Sequence, residues 1–143
     1  MGSIDLDPAS SEIGNRIVNA AKYHAKEDDG LNHSWFGNIW MNPPYNNSLV
    51  GKFTEKLINE LPNIEQACVL VNNATETRWF QKILNESDLV CLVKGRIKFL
   101  DVNGQANGPS LQGQVILFFG QNISGFYDNF KEFGTIMEII KKL

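Results

Sequence analysis

The order of apolar and polar positions along the chain predicts strands and helices in alternation. Short apolar runs are typical of buried strands, and they cover residues 3–6, 36–41, 66–71, 89–93, 97–100 and 114–119. Apolar stripes at helical spacing lie between several of these runs, and capping residues predict helices that begin at Ser10 or Ser11, at Asn47 or Ser48, and at Thr75. The alternation predicts an α/β fold with a mostly parallel sheet and helices on both faces. In such a sheet, ligands collect at the carboxyl ends of the strands.

The bounds of the remaining elements follow from the same pattern. The second helix continues to about Leu61 and is closed by Pro62. A polar loop rich in Gly and Asn covers residues 101–111, a short helix follows near residues 126–133, and residues 135–140 form a strand or a helix. The first helix fades near residues 23–25, and its predicted buried stripe consists of Ile13, Ile17, Val18 and Ala21.

Length and composition limit the class of protein. A chain of 143 residues suits one domain, residues 1–143. Cys68 and Cys91 lie inside apolar runs, which is typical of reduced core cysteines rather than of a disulfide or a metal site. His24 and His33 lack the spacing of metal ligands, so no metal is expected.

Hydropathy and charge bear on location and partners. No apolar stretch is long enough to span a membrane and no signal peptide precedes the first strand, which predicts a cytoplasmic protein. The net charge of −3 argues against a surface that binds phosphates without regard to sequence. Nucleic acid stays open as a partner, because a local basic face can coexist with acidic helices.

The residues that indicate chemistry are Asn42, Pro43, Pro44 and Tyr45, directly after the apolar run 36–41. Proline cannot donate to a strand ladder, so the strand must stop at Asn42, at the expected ligand edge. The Asn42 side-chain carbonyl and the Pro43 backbone carbonyl can accept hydrogen bonds from the two N–H groups of an exocyclic amine, which draws the amine lone pair out of conjugation. The prolines hold these acceptors rigidly, and Tyr45 offers a face to an extruded base. The alternative is a turn that merely ends the strand.

Five stretches of the chain resemble one known family. Residues 40–45, Trp-Met-Asn-Pro-Pro-Tyr, resemble the catalytic motif of amino-methyltransferases. Residues 4–10, 27–31, 75–80 and 95–99 match, in the same order, the phage-type DNA adenine-N6 methyltransferase (Dam-like) family. The resemblance implies a Rossmann-like domain that transfers a methyl group from S-adenosylmethionine to adenine N6 in double-stranded DNA. It also implies a bacterial or phage-infected host cell, a phage or prophage origin, and a part in restriction-modification.

The resemblance also implies a cofactor site. Asp5 matches the acidic residue that accepts from the ribose hydroxyls of the cofactor, and Asp7 is the alternative, unless Asp7 only shapes its turn with Pro8. Asp28 or Asp29 would accept from the adenine amine of the cofactor, with Gly30 letting the backbone pass close by. A solvated acidic turn is the alternative for these last three residues.

The implied substrate contacts lie further along the chain. Arg78 would face a phosphate, and Trp79 would either stack on a base or belong to the core. Arg96 and Lys98 alternate with apolar residues, so on a strand both would share one face, which is either solvated or turned to a substrate backbone. The loop 101–111 beside them is placed to close over the target.

The sequence departs from the family pattern at one motif, the Phe-x-Gly-x-Gly turn that follows the first strand. Either residues 4–7 correspond to the second strand, with the chain truncated at the N-terminus, or they form the first strand of a reduced layout in which Asp5 or Asp7 takes over that region. Two other functions therefore stay open. One is an amino-methyltransferase that acts on RNA or on a protein glutamine, and the other is a degenerate remnant that binds nucleic acid without catalysis.

Overall fold

In the computed structural model, which describes residues 2–100, 105–109 and 112–141, strands and helices alternate along the chain. The helices are α1 (Glu12–Val18), α2 (Leu49–Glu60), α3 (Arg78–Glu86) and α4 (Ile123–Phe130). The strands are β1 (Leu6–Asp7), β2 (Lys22–Tyr23), β3 (Gly37–Met41), β4 (Ile64–Asn72), β5 (Leu89–Val93), β6 (Lys98–Leu100), β7 (Ala106–Pro109), β8 (Gln114–Phe119) and β9 (Gly134–Glu138).

Seven strands form one sheet in the order β2-β1-β3-β4-β8-β5-β9, and β6 pairs with β7 in a separate hairpin. Pairing is parallel from β2 to β4 and antiparallel from β4 to β9. The prediction of a mostly parallel sheet is therefore not confirmed, and the sheet is mixed. Strand direction reverses between β5 and β8, and the described residues of the connection between them include the antiparallel pair β6–β7.

Both faces of the sheet are covered by helices, as predicted. On one face, Leu57 of α2 and Ile83 of α3 are fully buried against strand residues such as Val69. On the other face, Phe126 of α4 packs with Cys68 and with further apolar residues of β5 and β8. Cys68 and Cys91 are free and buried, which confirms them as core residues. Among the described helices, none has the length and apolar character needed to cross a membrane.

The first predicted helix differs most from the structure. It begins as expected, because the Ser11 side chain accepts from the Gly14 amide at 2.9 Å. It ends at Val18, before Asn19 in the left-handed conformation, and none of its residues is buried. Ile17 is 65% exposed, so the apolar stripe does not face the core. The expected tail of this helix contains β2 instead.

Two other boundaries also differ. Helix α3 is capped by Thr77, whose hydroxyl accepts from the Phe80 amide at 3.3 Å, and not by Thr75. The predicted loop 101–111 lies partly outside the described residues, which include 105–109, and residues 106–109 of it form β7. The prediction that the loop 101–111 closes over a target stays a prediction, because residues 101–104 and 110–111 lie outside the described part of the chain.

Candidate active site

Asn42, Pro43, Pro44 and Tyr45 follow β3 at the wall of a large cavity. Ile39 of β3 and the strand's last residue, Met41, are both fully buried, and this anchors the strand up to the point where the chain leaves the sheet. All four residues of the tetrapeptide line the cavity, whose volume is about 870 Å³. Ligand sites in proteins commonly have volumes of about 300–1,000 Å³. We call this the carboxyl-end cavity, because the ends of β1, β2, β3 and β4 open onto it.

One half of the carboxyl-end cavity is built by the segments after β1 and β2. Pro8, Ala9 and Ser10 follow β1, while His24, Ala25 and Lys26 follow β2, and all six line the cavity. Asp29 and Gly30 contribute to the same wall. A Cβ atom on Gly30 would overlap the Pro8 carbonyl oxygen, so only glycine lets these two segments approach this closely.

The acidic turn that contains Asp29 is held by a buried tryptophan. The Trp35 indole N–H donates to the Gly30 carbonyl at 2.9 Å, and Trp35 is 1% exposed. Asp28 accepts from the Ala25 amide at 2.8 Å, so its carboxylate fixes the turn and does not line the cavity. Of the three residues predicted here, Asp29 and Gly30 therefore reach the cavity and Asp28 supports them.

The two aspartates near β1 lie in different places. The Asp5 carboxylate accepts from the Asn38 amide at 2.7 Å, at the amino-terminal part of β3, which is four residues before Asn42. Four residues of strand span about 13 Å, so Asp5 lies away from the tetrapeptide and does not line the cavity. The structure thus gives no support to the preference for Asp5 over Asp7 as the ribose ligand, because strand register directs Asp5 to the Asn38 amide.

Asp7 shapes the loop that lines the cavity. It is 3% exposed, and its carboxylate accepts from the Ala9 amide at 3.2 Å. Burial raises the pKa of Asp7 to about 6, against the lowering effect of the hydrogen bonds from Ala9 and Ser10. Asp7 itself does not line the cavity, so its position matches the alternative in which it organises the turn.

His24 is a residue to which the sequence assigned no role, and it lines the cavity. Its ring stacks on His33 with the ring centroids 4.3 Å apart and the planes 9° from parallel. Burial lowers the pKa of His24, and the neighbouring His33 and Lys22 act in the same direction. Within the part of the chain that the structure describes, no cluster of three or more His, Cys, Asp or Glu side chains could hold a metal ion.

The other half of the cavity contains a chain of hydrogen bonds that begins at the tetrapeptide. The Asn72 backbone amide, at the end of β4, donates to the Tyr45 hydroxyl at 2.7 Å. The Gln114 side-chain amide, at the start of β8, donates to the Asn72 side-chain oxygen. Burial raises the pKa of Tyr45 to about 12, so the hydroxyl keeps its proton. Tyr45 also contacts Trp79, with ring centroids 6.4 Å apart and planes tilted by 52°.

The predicted substrate residues do not line this cavity. Trp79 packs against the core and behind Tyr45, which fits the core alternative. Arg78 is the exposed first residue of α3. Arg96 and Lys98 are exposed, but β6 begins at Lys98, so they do not share the face of one strand. Gly95 has φ of 75°, and this turn bends the chain just before Arg96.

Sequence reasoning missed several residues of the cavity. Asn72 and Gln114 are polar residues at the ends of apolar strands, and that position was the available signal. The sequence could not show that Asn72 and Gln114 lie close together, because this depends on the antiparallel pairing of β4 with β8. Pro8, Ala9 and Ser10 were part of a matched stretch, but the sequence assigned them no contact with a ligand.

The sequence model of the DNA N-6-adenine-methyltransferase (Dam) family matches residues 1–135. The chain belongs to this family. The match covers each of the five stretches that carried the resemblance, and it includes every residue described above as lining the carboxyl-end cavity.

A protein of Haemophilus phage HP1 (strain HP1c1), described as a DNA N-6-adenine-methyltransferase, is similar to the chain. The two are 27% identical over 119 residues, which cover 80% of this chain and 66% of the phage protein. The chain therefore matches about two-thirds of the length of this relative.

Proposed function

We propose that this Dam-family chain transfers a methyl group from S-adenosylmethionine to the N6 amine of adenine in double-stranded DNA. The observation that carries the proposal is the position of Asn42 and Pro43 at the wall of the carboxyl-end cavity, directly after a fully buried strand end. Fixed carbonyl groups at such a position stabilise charge that develops on an amine without reorganising during the reaction.

The residues of the β1–β2 half suit the cofactor. The methionine end of S-adenosylmethionine carries an ammonium and a carboxylate, and its ribose carries two neighbouring hydroxyls. Asp29 and Lys26 supply an acceptor and a cation at this wall, while Leu31 and Phe53 supply apolar surface for an adenine ring. When bound, the cofactor supplies a sulfonium-activated methyl group. We assign this half to the cofactor, with the loop after β1 in the place of the missing glycine turn, as in a reduced Rossmann-like layout.

The tetrapeptide would act on the target amine by accepting hydrogen bonds from its two N–H groups. The Asn42 side-chain oxygen and the Pro43 carbonyl draw the amine lone pair out of conjugation with the purine ring, so that the lone pair points to the electrophile. The prolines fix the direction of both acceptors before the substrate arrives. Once the amine gains a fourth substituent it becomes strongly acidic, and the proton leaves to water. These reaction steps require no covalent intermediate between the enzyme and the substrate.

Tyr45 would bind the extruded base by stacking. Its hydroxyl is tied to the Asn72 amide and its ring contacts Trp79, so the orientation of the ring is fixed. A rigid aromatic face replaces part of the stacking that a base loses when it leaves the duplex. The exposed Arg78, Arg96 and Lys98 stay candidates for contacts to the DNA backbone. If the substrate is bacterial or phage DNA, we infer that the protein acts in the cytoplasm of a bacterium or of a phage-infected cell.

The experiment that tests this function is transfer of labelled methyl from S-adenosylmethionine to unmethylated duplex DNA. We expect label in N6-methyladenine with the parent chain and a loss of at least about 100-fold in rate with Asn42→Ala, since removal of one preorganised group of this kind costs about 10²–10³. Asn42→Asp keeps a carbonyl-type acceptor and should retain measurable activity.

Two other outcomes would contradict the proposal. Label on RNA or on protein glutamine, with none on DNA, would assign the chain to the other amino-methyltransferases. Neither transfer nor cofactor binding, for a chain that is folded by circular dichroism, would identify a remnant without catalysis.

A further inference from the structure

Gln114 carries a buried acceptor that no described residue satisfies. Its side chain lines the carboxyl-end cavity, and the residue is 2% exposed. The amide nitrogen donates to the Asn72 side-chain oxygen and to the Gln112 carbonyl, the latter at 3.5 Å. The amide oxygen, Oε1, is fully buried and receives no hydrogen bond within the described part of the chain. Buried polar atoms are nearly always satisfied, so this oxygen calls for a donor, and a ligand in the carboxyl-end cavity is one source of it.

The hydrogen bonds of this amide orient it towards Asn72. While the Asn72 side-chain oxygen faces Gln114, reversing the Gln114 amide would place Oε1 against two other acceptor oxygens, on Asn72 and Gln112. In this arrangement the nitrogen faces Asn72, and Oε1 stays available to accept.

Asn72 supplies the complementary donor. Its side-chain oxygen is occupied by Gln114, while its side-chain nitrogen, Nδ2, donates to no described residue. Asn72 also lines the cavity. The two residues thus offer an unused acceptor and an unused donor at the same cavity. In adenine, the N6 amine is a donor that lies next to a ring nitrogen, which is an acceptor. Asn and Gln side chains recognise adenine by hydrogen bonding to these two neighbouring groups.

The position of the pair separates it from the cofactor half. In the sheet order, β8 lies two strands from β3 and three strands from β1. At the usual strand spacing, these separations are about 10 Å and about 14 Å. Gln114 and Asn42 therefore lie on either side of the end of β4, and an amine held above Asn72 has acceptors on both sides.

We propose that Gln114 and Asn72 form the specificity site for the target base, an inference that rests on the proposed function. Gln114 Oε1 accepts a hydrogen bond from N6–H on the side opposite Asn42, and the Pro43 carbonyl shares this N–H donor. Asn72 Nδ2 donates to a ring nitrogen on the same edge, N1 or N7. A keto base would set its oxygen against Oε1, so the pair favours a base that carries an amine.

The first test compares Gln114→Met with Gln66→Met in the full chain. Gln66 is a matched control because its amide donates to Asn38 at 3.1 Å and does not line the cavity. One lost base contact corresponds to a fall in kcat/KM for duplex DNA of about 5- to 100-fold, which we expect for Gln114→Met. The affinity for S-adenosylmethionine should not change. The melting temperature should stay close to that of the parent, since removal of the buried unsatisfied oxygen offsets loss of the hydrogen bonds to Asn72 and Gln112. Gln66→Met should keep the parent kcat/KM.

The outcomes separate this inference from the proposed function. Parent activity in Gln114→Met, together with loss in Asn42→Ala, would overturn the specificity site and leave the proposed function standing. A Gln114→Met variant that loses cofactor affinity or melts at a lower temperature in proportion to its activity would show a structural role and would also overturn the inference. No adenine methylation by the parent chain would overturn both.

A second measurement addresses the Asn72 donor. DNA with 7-deazaadenine or 1-deazaadenine at the target keeps the N6 amine and lacks one ring nitrogen. We expect the parent to lose activity on one of the two substrates, and an Asn72→Leu variant to show no further loss on that substrate. Full parent activity on both analogues would overturn the role of Asn72.

Discussion

At the scale of single residues, four aspartates of the first 30 residues share one side-chain chemistry and occupy four different environments. Asp5 binds the Asn38 amide, Asp28 fixes the acidic turn through the Ala25 amide, and Asp29 lines the cavity. Asp7 is buried behind the loop after β1. Which carboxylate can meet a cofactor is decided by the direction of each side chain, and the sequence could only name the four candidates.

The buried Asp7 should make stability depend on pH. Because burial raises its pKa from 3.8 to about 6, the folded chain holds this proton more tightly than the unfolded chain does. The resulting stabilisation is complete below pH 3.8 and is lost as the pH rises through about 6. A difference of this size corresponds to up to about 3 kcal/mol.

Asp7→Asn is the variant that isolates this effect, since it keeps the acceptor for the Ala9 amide and carries no charge. The free energy of unfolding of the variant, relative to the parent, should increase between pH 4 and pH 7, as measured by urea denaturation at both values. His24 titrates in both proteins, and its contribution cancels in the difference. An equal difference in unfolding free energy at the two pH values would mean that burial does not raise the pKa of Asp7.

At the scale of elements, local signals located the helices and strands well and their ends less well. The apolar runs at β3, β4, β5 and β8 each contain the observed strand or lie within it to about two residues. The cap of α3 was displaced by two residues, because Thr75 and Thr77 are equivalent in type and only the geometry of the turn selects Thr77.

The cap assignment gives a direct prediction. Thr77→Ala removes the acceptor of the Phe80 amide and should lower the free energy of unfolding by about 1 kcal/mol. Thr75→Ala is the matched control, because Thr75 is exposed and its side chain does not cap the helix, so its effect should stay within about 0.5 kcal/mol. Denaturant titration of both variants measures the contrast. Equal losses of unfolding free energy in the two variants would mean that Thr77 is not the specific cap of α3.

At the scale of the whole molecule, the cavity depends on two segments that approach each other closely. Gly30 lies against the Pro8 carbonyl, and this contact joins the loop after β1 to the acidic turn before β3. Neither segment forms a wall alone. The cavity is therefore a property of the assembled sheet and not of one motif.

Gly30→Ala tests this dependence. The added methyl group must displace backbone, so we expect a loss of about 1–3 kcal/mol in stability and weaker binding of S-adenosylmethionine in a calorimetric titration. Gly51→Ala in α2 is the control: its new methyl group would make an ordinary contact with the Trp79 Cβ at 3.9 Å. Alanine is favoured over glycine in helices, so Gly51→Ala should gain up to about 1 kcal/mol. Unchanged cofactor affinity in Gly30→Ala would mean that the contact between Gly30 and the Pro8 carbonyl does not shape the cofactor-binding wall of the cavity.

The sequence by itself determined the long strands, most of the helices and the position of the tetrapeptide. Proline lacks an amide proton, so β3 had to end at Met41, and apolar periodicity marked the buried strands. These signals act between neighbours along the chain, which is why they could be read without a structure.

Only the tertiary structure decided the strand directions and the membership of the cavity. The insertion of β8 between β4 and β5 brings Gln114 to Asn72 across 42 positions, and the register of β3 takes Asp5 to Asn38 across 33. Contacts between residues so far apart depend on how the packed sheet buries its apolar faces and satisfies its backbone groups. No local pattern encodes that balance.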